Sequence, residues 1–319
     1  MGRLIKGIWH DEWYDTSASG GAFVREDAGY RHQVEAGGRF TPDSGRYHLY
    51  VSLACPWAHR TLILRKLKGL EPHIDVTVVH PHMLDQGWVY EPVEPLYGFA
   101  CHHQLYTLAK PDYSGRVTVP VLWDKQEQTI VNNESAEIVR IFNSAFDTLT
   151  GNTEDYYPEA LREEIDRLNE RIYGDVNNGV YKAGFATAQD VYEKECRTLF
   201  AALDWLDGLL AERRYLTGDR ITEADWRLFT TLVRFDPVYH GHFKCNIRRI
   251  EDYPHLSGYL RELYQWPGVA ETVNFKHIKQ HYYYSHDTIN PTRIVPLGTG
   301  QDLTAPHGRG EPPAEWLGL

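Results

Sequence analysis

The chain has 319 residues, 42% of them apolar and 24% charged, enough for one large domain or two ordinary ones around a buried core. A net charge of −11 gives none of the basic footprint that nucleic acid or an anionic membrane surface would need. No stretch approaches the roughly 18 apolar residues of a membrane span, the first ten residues lack a signal-peptide core, and Lys6 stands where a myristoylated Gly2 would want Ser or Thr.

Residues 1–45 are rich in Gly, Asp and Ser with little periodicity, and are expected to form an extended arm over the main fold. Residues 47–51 predict a strand. The turn Ser52-Leu53-Ala54-Cys55-Pro56-Trp57 leads into a helix through residue 67, where apolar positions recur at helical spacing until Gly69 stops it. Strands are expected at 74–79, 117–123 and 129–131, followed by a helix over 134–146. Pro120 inside the 117–123 segment demands an edge position or a special backbone geometry. The order β-α-β then β-β-α is thioredoxin-like. After about residue 152 the strand signals stop. Amphipathic helices are predicted over 158–173, 189–213 and 254–264, and Thr222-Glu223-Ala224-Asp225 has the form of a capping box opening another. The tail from about 288, with Pro291, Pro296, Pro306, Pro312 and Pro313, is expected to wrap the surface. The division is therefore an arm (1–45), a thioredoxin-like domain (46–150) and a helical domain with its tail (151–319). No internal repeat is visible.

Cys55 is the chemical centre of this pattern. A thiol between a strand and a helix faces unpaired backbone N–H groups and the positive end of the helix dipole, which favour a thiolate. Pro56 suits the first helical turn, where its missing N–H would bond nothing. The plainer alternative is a buried structural thiol. Position 58 is Ala, so no resolving cysteine stands nearby, and the chemistry should be monothiol with an external thiol closing the cycle. The other cysteines, Cys101, Cys196 and Cys245, lie far apart without a C-x-x-C pair; this argues against a zinc site or a disulfide framework and for a reducing, cytoplasmic compartment. Val119-Pro120 offers either a cis bond whose exposed backbone pairs with a peptide-like ligand, or a plain edge strand. Glu134-Ser135, between a strand and a helix, offers either a seat for the charged ends of an amino acid or ordinary capping. Taken in order, the three pieces describe a glutathione site: sulfur at Cys55, cysteinyl backbone on Val119, γ-glutamyl end on Glu134 and Ser135. The 9 Trp and 21 Tyr suit a site that also holds an aromatic ligand.

The blocks Cys55-Pro56-Trp57-Ala58-His59-Arg60, Val117-Thr118-Val119-Pro120-Val121-Leu122-Trp123, Asn133-Glu134-Ser135 and Asn177-Asn178-Gly179-Val180-Tyr181-Lys182-Ala183-Gly184-Phe185-Ala186 resemble the glutathionyl-hydroquinone reductases, the Xi class of glutathione transferases. His281-Tyr282-Tyr283-Tyr284-Ser285-His286 and Ile289-Asn290-Pro291-Thr292 extend the resemblance over nearly the whole chain. It implies an α+β protein, an N-terminal thioredoxin-like domain followed by an all-α glutathione-transferase C-terminal domain, usually a homodimer. It also implies glutathione-dependent reduction of glutathionyl-hydroquinones through a Cys55–glutathione mixed disulfide. Residue by residue, the nucleophile falls on Cys55, glutathione contacts on Trp88, Val119, Glu134 and Ser135, and the two tyrosines facing the quinol on Tyr181 and Tyr282. Relatives vary at the two positions after Tyr282, so Tyr283 and Tyr284 carry no assignment.

Glutathione is then a co-substrate, and no metal or nicotinamide is required. The rivals are an omega-like thioltransferase or dehydroascorbate reductase, which would also use Cys55, and a non-catalytic scaffold domain. Cys101-His102-His103 with His80 and His82 is a weak metal candidate, because adjacent residues rarely serve one ion. His59 is expected to point away from the sulfur, His281 and His286 either support the tyrosines or pack, and Arg116 either pairs with a glutathione carboxylate or is a solvated surface residue.

Overall fold

The computed structural model describes residues 2–311. In chain order its first half holds β1 (Arg3–Ile5), β2 (Ile8–His10), β3 (Tyr47–Val51), α1 (Pro56–Leu67), β4 (Asp75–Val78) and α2 (His103–Ala109). These are followed by β5 (Gly115–Arg116), β6 (Val121–Asp124), β7 (Thr129–Asn132), α3 (Ser135–Ser144) and the short α4 (Asp147–Thr150). The four-stranded sheet runs β4-β3-β6-β7, with β3 parallel to β4 and antiparallel to β6, and β6 antiparallel to β7. All five residues of β3 are buried, as an apolar strand flanked on both sides must be. The thioredoxin-like order read from the sequence is the observed one.

Two expectations need correction. The strand expected over 117–123 begins only at Val121; Pro120 precedes it, on a cis Val119–Pro120 bond. β6 is a central strand, so its ladder can start only after the residue that lacks an N–H. The arm, expected to be extended throughout, starts as a hairpin: β1 pairs with β2 and, on its other side, with β5, as a second, three-stranded sheet. Lys6 and Gly7, both at positive φ, make its turn. Trp9 stacks on His103 of α2 at 4.8 Å between centroids, so the arm is packed down by its rings.

The second half holds α5 (Arg162–Ile172), α6 (Gly179–Gly184), α7 (Gln189–Glu212), α8 (Glu223–Arg234), α9 (Leu256–Gln265) and α10 (Phe275–Ser285). Among the described residues no strand follows β7. Every residue of α8 is buried, and the capping box expected at Thr222 and Asp225 opens it. α8 packs on α1, which also packs on α3, so one buried layer joins the two halves directly beneath the Cys55 turn. Five-residue π turns, Tyr173–Asn177 and Phe235–Tyr239, lead into α6 and follow α8. The tail lies along α9, where Gln265 Nε2 donates to the carbonyls of Leu303 and Ala305 at 2.7 and 2.8 Å. Pro312 and Pro313 lie outside the described residues. No helix among the described residues is long and apolar enough to cross a membrane.

Candidate active site

Cys55 is the N-cap of α1, with Pro56 at the first helical position as the sequence requires. It is buried (9% exposed), and its Sγ lies 3.6 Å from the carbonyl oxygen of Val119. The thiol is not sealed in hydrocarbon. It lines a small cavity, ≈ 60 Å³, with Trp57, Trp88, Val119, Tyr181 and Tyr282. A second cleft, ≈ 80 Å³, shares Trp57, Thr118 and Val119 with it and adds Asn133, Glu134 and Ser135. All seven residues singled out from the sequence therefore meet in two adjoining spaces, although they come from β-side turns, α3, α6 and α10.

The expected acidity of Cys55 is not that of the closed pocket. Burial pushes the thiol up, outweighing the backbone N–H groups of Ala58 and Trp57 and the charges of Arg234 and Arg25, which favour the anion. The helix-end effect is present; desolvation opposes it.

Glu134 is a cap, and it also faces the second cleft. Its side chain caps α3 by accepting from the Ala136 N–H at 3.1 Å, and it borders the second cleft. Ser135 Oγ accepts from Arg60 Nη1 at 3.3 Å. Arg60 is itself buried against the Trp57 ring, and burial lowers its guanidinium to about 9. Trp88 stacks on His281 at 4.8 Å, and His281 shares a hydrogen bond between its Nδ1 and the Pro81 carbonyl at 3.0 Å. Because a carbonyl only accepts, Nδ1 carries the proton. Burial lowers this imidazole to about 3, so it is neutral.

The hydroxyls of Tyr181 on α6 and Tyr282 on α10 are hydrogen-bonded, and Tyr239 completes a chain of three, 3.0 Å from Tyr282. Tyr283 and Tyr284 are directed elsewhere: the Tyr283 hydroxyl donates to the Pro237 carbonyl, and Tyr284 stacks on His82 at 3.9 Å. His59 does face away from the sulfur, toward Arg234 and Thr272. Both ring nitrogens of His102 are occupied, by the Tyr90 hydroxyl at 2.6 Å and the Thr118 carbonyl at 3.0 Å. Among the described residues no cluster of three His, Cys, Asp or Glu is placed to hold a metal.

Several site residues were not found from the sequence. Trp13, Tyr14, Phe23 and Arg25, all from the arm, wall the Cys55 cavity. Arg25 donates to Asn178 Oδ1 at 3.0 Å and lies over the rings of Trp57 (4.9 Å) and Tyr181 (5.1 Å). A density of rings too high for a solvated segment was the available signal. Arg116 is buried rather than solvated and anchors this arm, donating to the Trp13 carbonyl at 3.4 Å and to Glu26 Oε1 at 3.3 Å. Trp13 and His286 also separate the Cys55 cavity from a larger one of ≈ 450 Å³.

Comparisons with known proteins identify the family. The sequence models of the glutathione S-transferase N-terminal and C-terminal domains match residues 54–145 and 189–262. Glutathionyl-hydroquinone reductase YqjG of Escherichia coli is 57% identical, over 97% of this chain and 98% of its own length. The glutathione-bound structure of that protein superposes with a TM-score of 0.89 at 54% identity, covering 96% of this chain and 98% of the other. A Xi class transferase from Natrialba magadii gives 0.90 at 48% identity, covering 97% and 96%. The chain belongs to the glutathione S-transferase family and, within it, to the Xi-class group of the glutathionyl-hydroquinone reductases.

Proposed function

We propose that this enzyme removes glutathione from glutathionyl-hydroquinones, with Cys55 as nucleophile and a Cys55–glutathione mixed disulfide as intermediate. One observation carries the reading: the Cys55 sulfur shares a cavity with Tyr181 and Tyr282 while adjoining a polar cleft at Val119, Glu134 and Ser135. A disulfide-exchange enzyme needs the polar cleft alone; two buried phenols beside the sulfur suit an aromatic carrier. The relative of known structure was solved with glutathione bound.

In this reading the polar cleft takes the tripeptide, its cysteinyl backbone along Val119 and its γ-glutamyl end on Glu134 and Ser135, with Trp88 beside the sulfur. The ring lies toward Tyr181 and Tyr282. Carbon is ordinarily a poor leaving group from sulfur. In a hydroquinone the ring carbon bearing sulfur can gain a proton as the neighbouring hydroxyl loses one, giving a keto tautomer. The Cys55 thiolate then attacks the glutathionyl sulfur. The S–S bond forms, the C–S bond breaks, and its electron pair passes to the carbonyl oxygen, which takes a proton as the ring regains aromaticity. Phenol donors at that oxygen stabilise the developing charge, an effect worth about 2.7–4 kcal/mol per donor. A second glutathione thiolate attacks the mixed disulfide, releasing oxidised glutathione and regenerating the Cys55 thiolate.

The same proposal divides the chain at about residues 45 and 150 on its composition and periodicity, places it in the cytoplasm on its cysteine usage, and makes it a homodimer as the family resemblance implies. Its test is Cys55→Ser with a glutathionyl-hydroquinone and glutathione, following hydroquinone release. Turnover should vanish while the adduct still binds; a variant that still turns over would remove Cys55 from the mechanism.

A further inference from the structure

A buried guanidinium stands behind the Cys55 turn. Arg234, the last residue of α8, is fully buried. Its Nε donates to the Ala54 carbonyl at 2.7 Å and its Nη2 to the Leu53 carbonyl at 3.2 Å. Its Nη1 donates to the Thr230 carbonyl at 2.8 Å and meets His59 Nδ1 at 2.9 Å. A guanidinium only donates, so His59 Nδ1 accepts and the ring proton sits on Nε2, which reaches Thr272 Oγ1 at 2.7 Å. Burial and the Arg234 charge push this imidazole well below its ordinary range, so it is neutral. The hydrogen-bond partners of Arg234 are thus neutral carbonyls and a neutral ring, and among the described residues no carboxylate comes within ion-pair distance of it. A buried cation without an anion is a costly arrangement. The anion that would complete it is one the resting thiol does not yet carry.

We propose that Arg234 is a positioning residue for the transfer reaction: it fixes the Leu53–Ala54 turn that presents Cys55, and its charge stabilises the sulfur as a thiolate once the thiol proton has left to solvent. The inference rests on Cys55 being the nucleophile. The other groups facing that sulfur are the Trp57 and Ala58 N–H groups of α1, Tyr14 and Arg25 of the arm, Tyr181 of α6, and His281, Tyr282 and His286 on and just after α10. Burial keeps Tyr181 and Tyr282 protonated and both histidines neutral. Arg25 is the second cation, but it belongs to the arm and spreads over three rings, those of Phe23, Trp57 and Tyr181. Arg234 is set in the core with its orientation already fixed, the condition under which a charge stabilises an anion without reorganisation.

The experiment uses the full chain with Arg234→Gln and Arg234→Lys. It follows alkylation of Cys55 by iodoacetamide against pH, with the modified residue assigned by peptide mass, alongside kcat and KM. Arg234→Gln should shift the Cys55 profile up by about one pH unit, cutting reactivity at pH 7 about 10-fold. It should lower kcat with KM changed less than about threefold. Arg234→Lys should restore the profile while kcat stays reduced, because one ammonium is not a rigid fork across two carbonyls. A folded Arg234→Gln enzyme that titrates with wild type, or a Lys variant shifted as far as Gln, overturns the proposal. Should Arg234→Gln not fold, His59→Glu keeps the arginine and gives it an acid partner. The same upward shift is then expected, and an unshifted profile overturns the proposal. If Cys55→Ser lacks turnover while these variants match wild type, this inference alone fails; if Cys55→Ser turns over, the reading beneath it fails.

Discussion

The Tyr181 and Tyr282 hydroxyls lie 2.5 Å apart although 101 positions separate them in the chain. Each sits on a different helix, and Tyr239 extends the contact into a chain of three. Burial holds all three phenols above their ordinary range, so they remain protonated donors at neutral pH. A charge developing on a ring oxygen beside Tyr181 would meet a donor already supported by its neighbours.

Replacing Tyr181 or Tyr282 by Phe should therefore lower kcat on a glutathionyl-hydroquinone on the order of 10²-fold. Reduction of a small glutathione mixed disulfide, which has no ring oxygen to stabilise, should change by less than about threefold. Steady-state rates on the two substrates make the comparison. Equal losses would take the phenols out of the chemistry.

Ser135→Ala should raise the KM for glutathione about tenfold, by loss of one hydrogen bond to a charged group. Glu134→Ala should do the same and also cost about 1 kcal/mol of stability, because the side chain caps α3. KM and melting temperature measured on both variants separate the two roles: capping alone would lower the melting temperature and leave KM where it was.

Acid should destabilise this fold well before its carboxylates titrate. Burial lowers His48, His102 and His242 to about 4 and His281 to about 3. In the unfolded chain each would bind a proton near pH 6.5. Between those values the unfolded state holds more protons, so stability rises with pH there and is lost as pH falls below about 6.5. The four together should cost on the order of 5 kcal/mol between pH 6.5 and 5. Urea unfolding at a series of pH values measures this, and a flat profile across that window would mean that the imidazoles protonate in place.

Asp225→Ala should destabilise by at least about 3 kcal/mol. The carboxylate accepts from the N–H groups of Leu216 (3.0 Å) and Thr222 (2.8 Å) and from the Tyr259 hydroxyl (2.7 Å), all in the core. Arg234 is at the other end of α8, so kcat at low temperature should stay within about twofold. Denaturant unfolding and initial rates at 10 °C check both halves of this statement.

What could be read from the sequence was local. The Cys55–Pro56 turn, the Val119–Pro120 bond and the Thr222–Asp225 box each place their chemistry within a few residues of a strand or helix end, and each is found where its spacing puts it. The strand after Pro120 was misjudged because its apolar run continues through residues 117–120, where the backbone has not yet joined the ladder. At Cys55 the two competing effects differ in range: helix-end stabilisation is encoded next to the residue, whereas the burial that opposes it comes from α6, α10 and the arm. Arg234 and Arg25 were invisible for the same cause. Nothing at position 234 or 25 announces a neighbour 180 or 153 residues away.

The packed arm gives residues 13–25 an influence on reactivity. Trp13, Tyr14, Phe23 and Arg25 form part of the enclosure around the Cys55 sulfur. Proteolytic trimming up to Arg25 would thus change the surroundings of the Cys55 sulfur and not merely the protein's handling. With that cover gone, dissolved oxygen, peroxide and bystander thiols would reach a sulfur that the intact arm keeps enclosed.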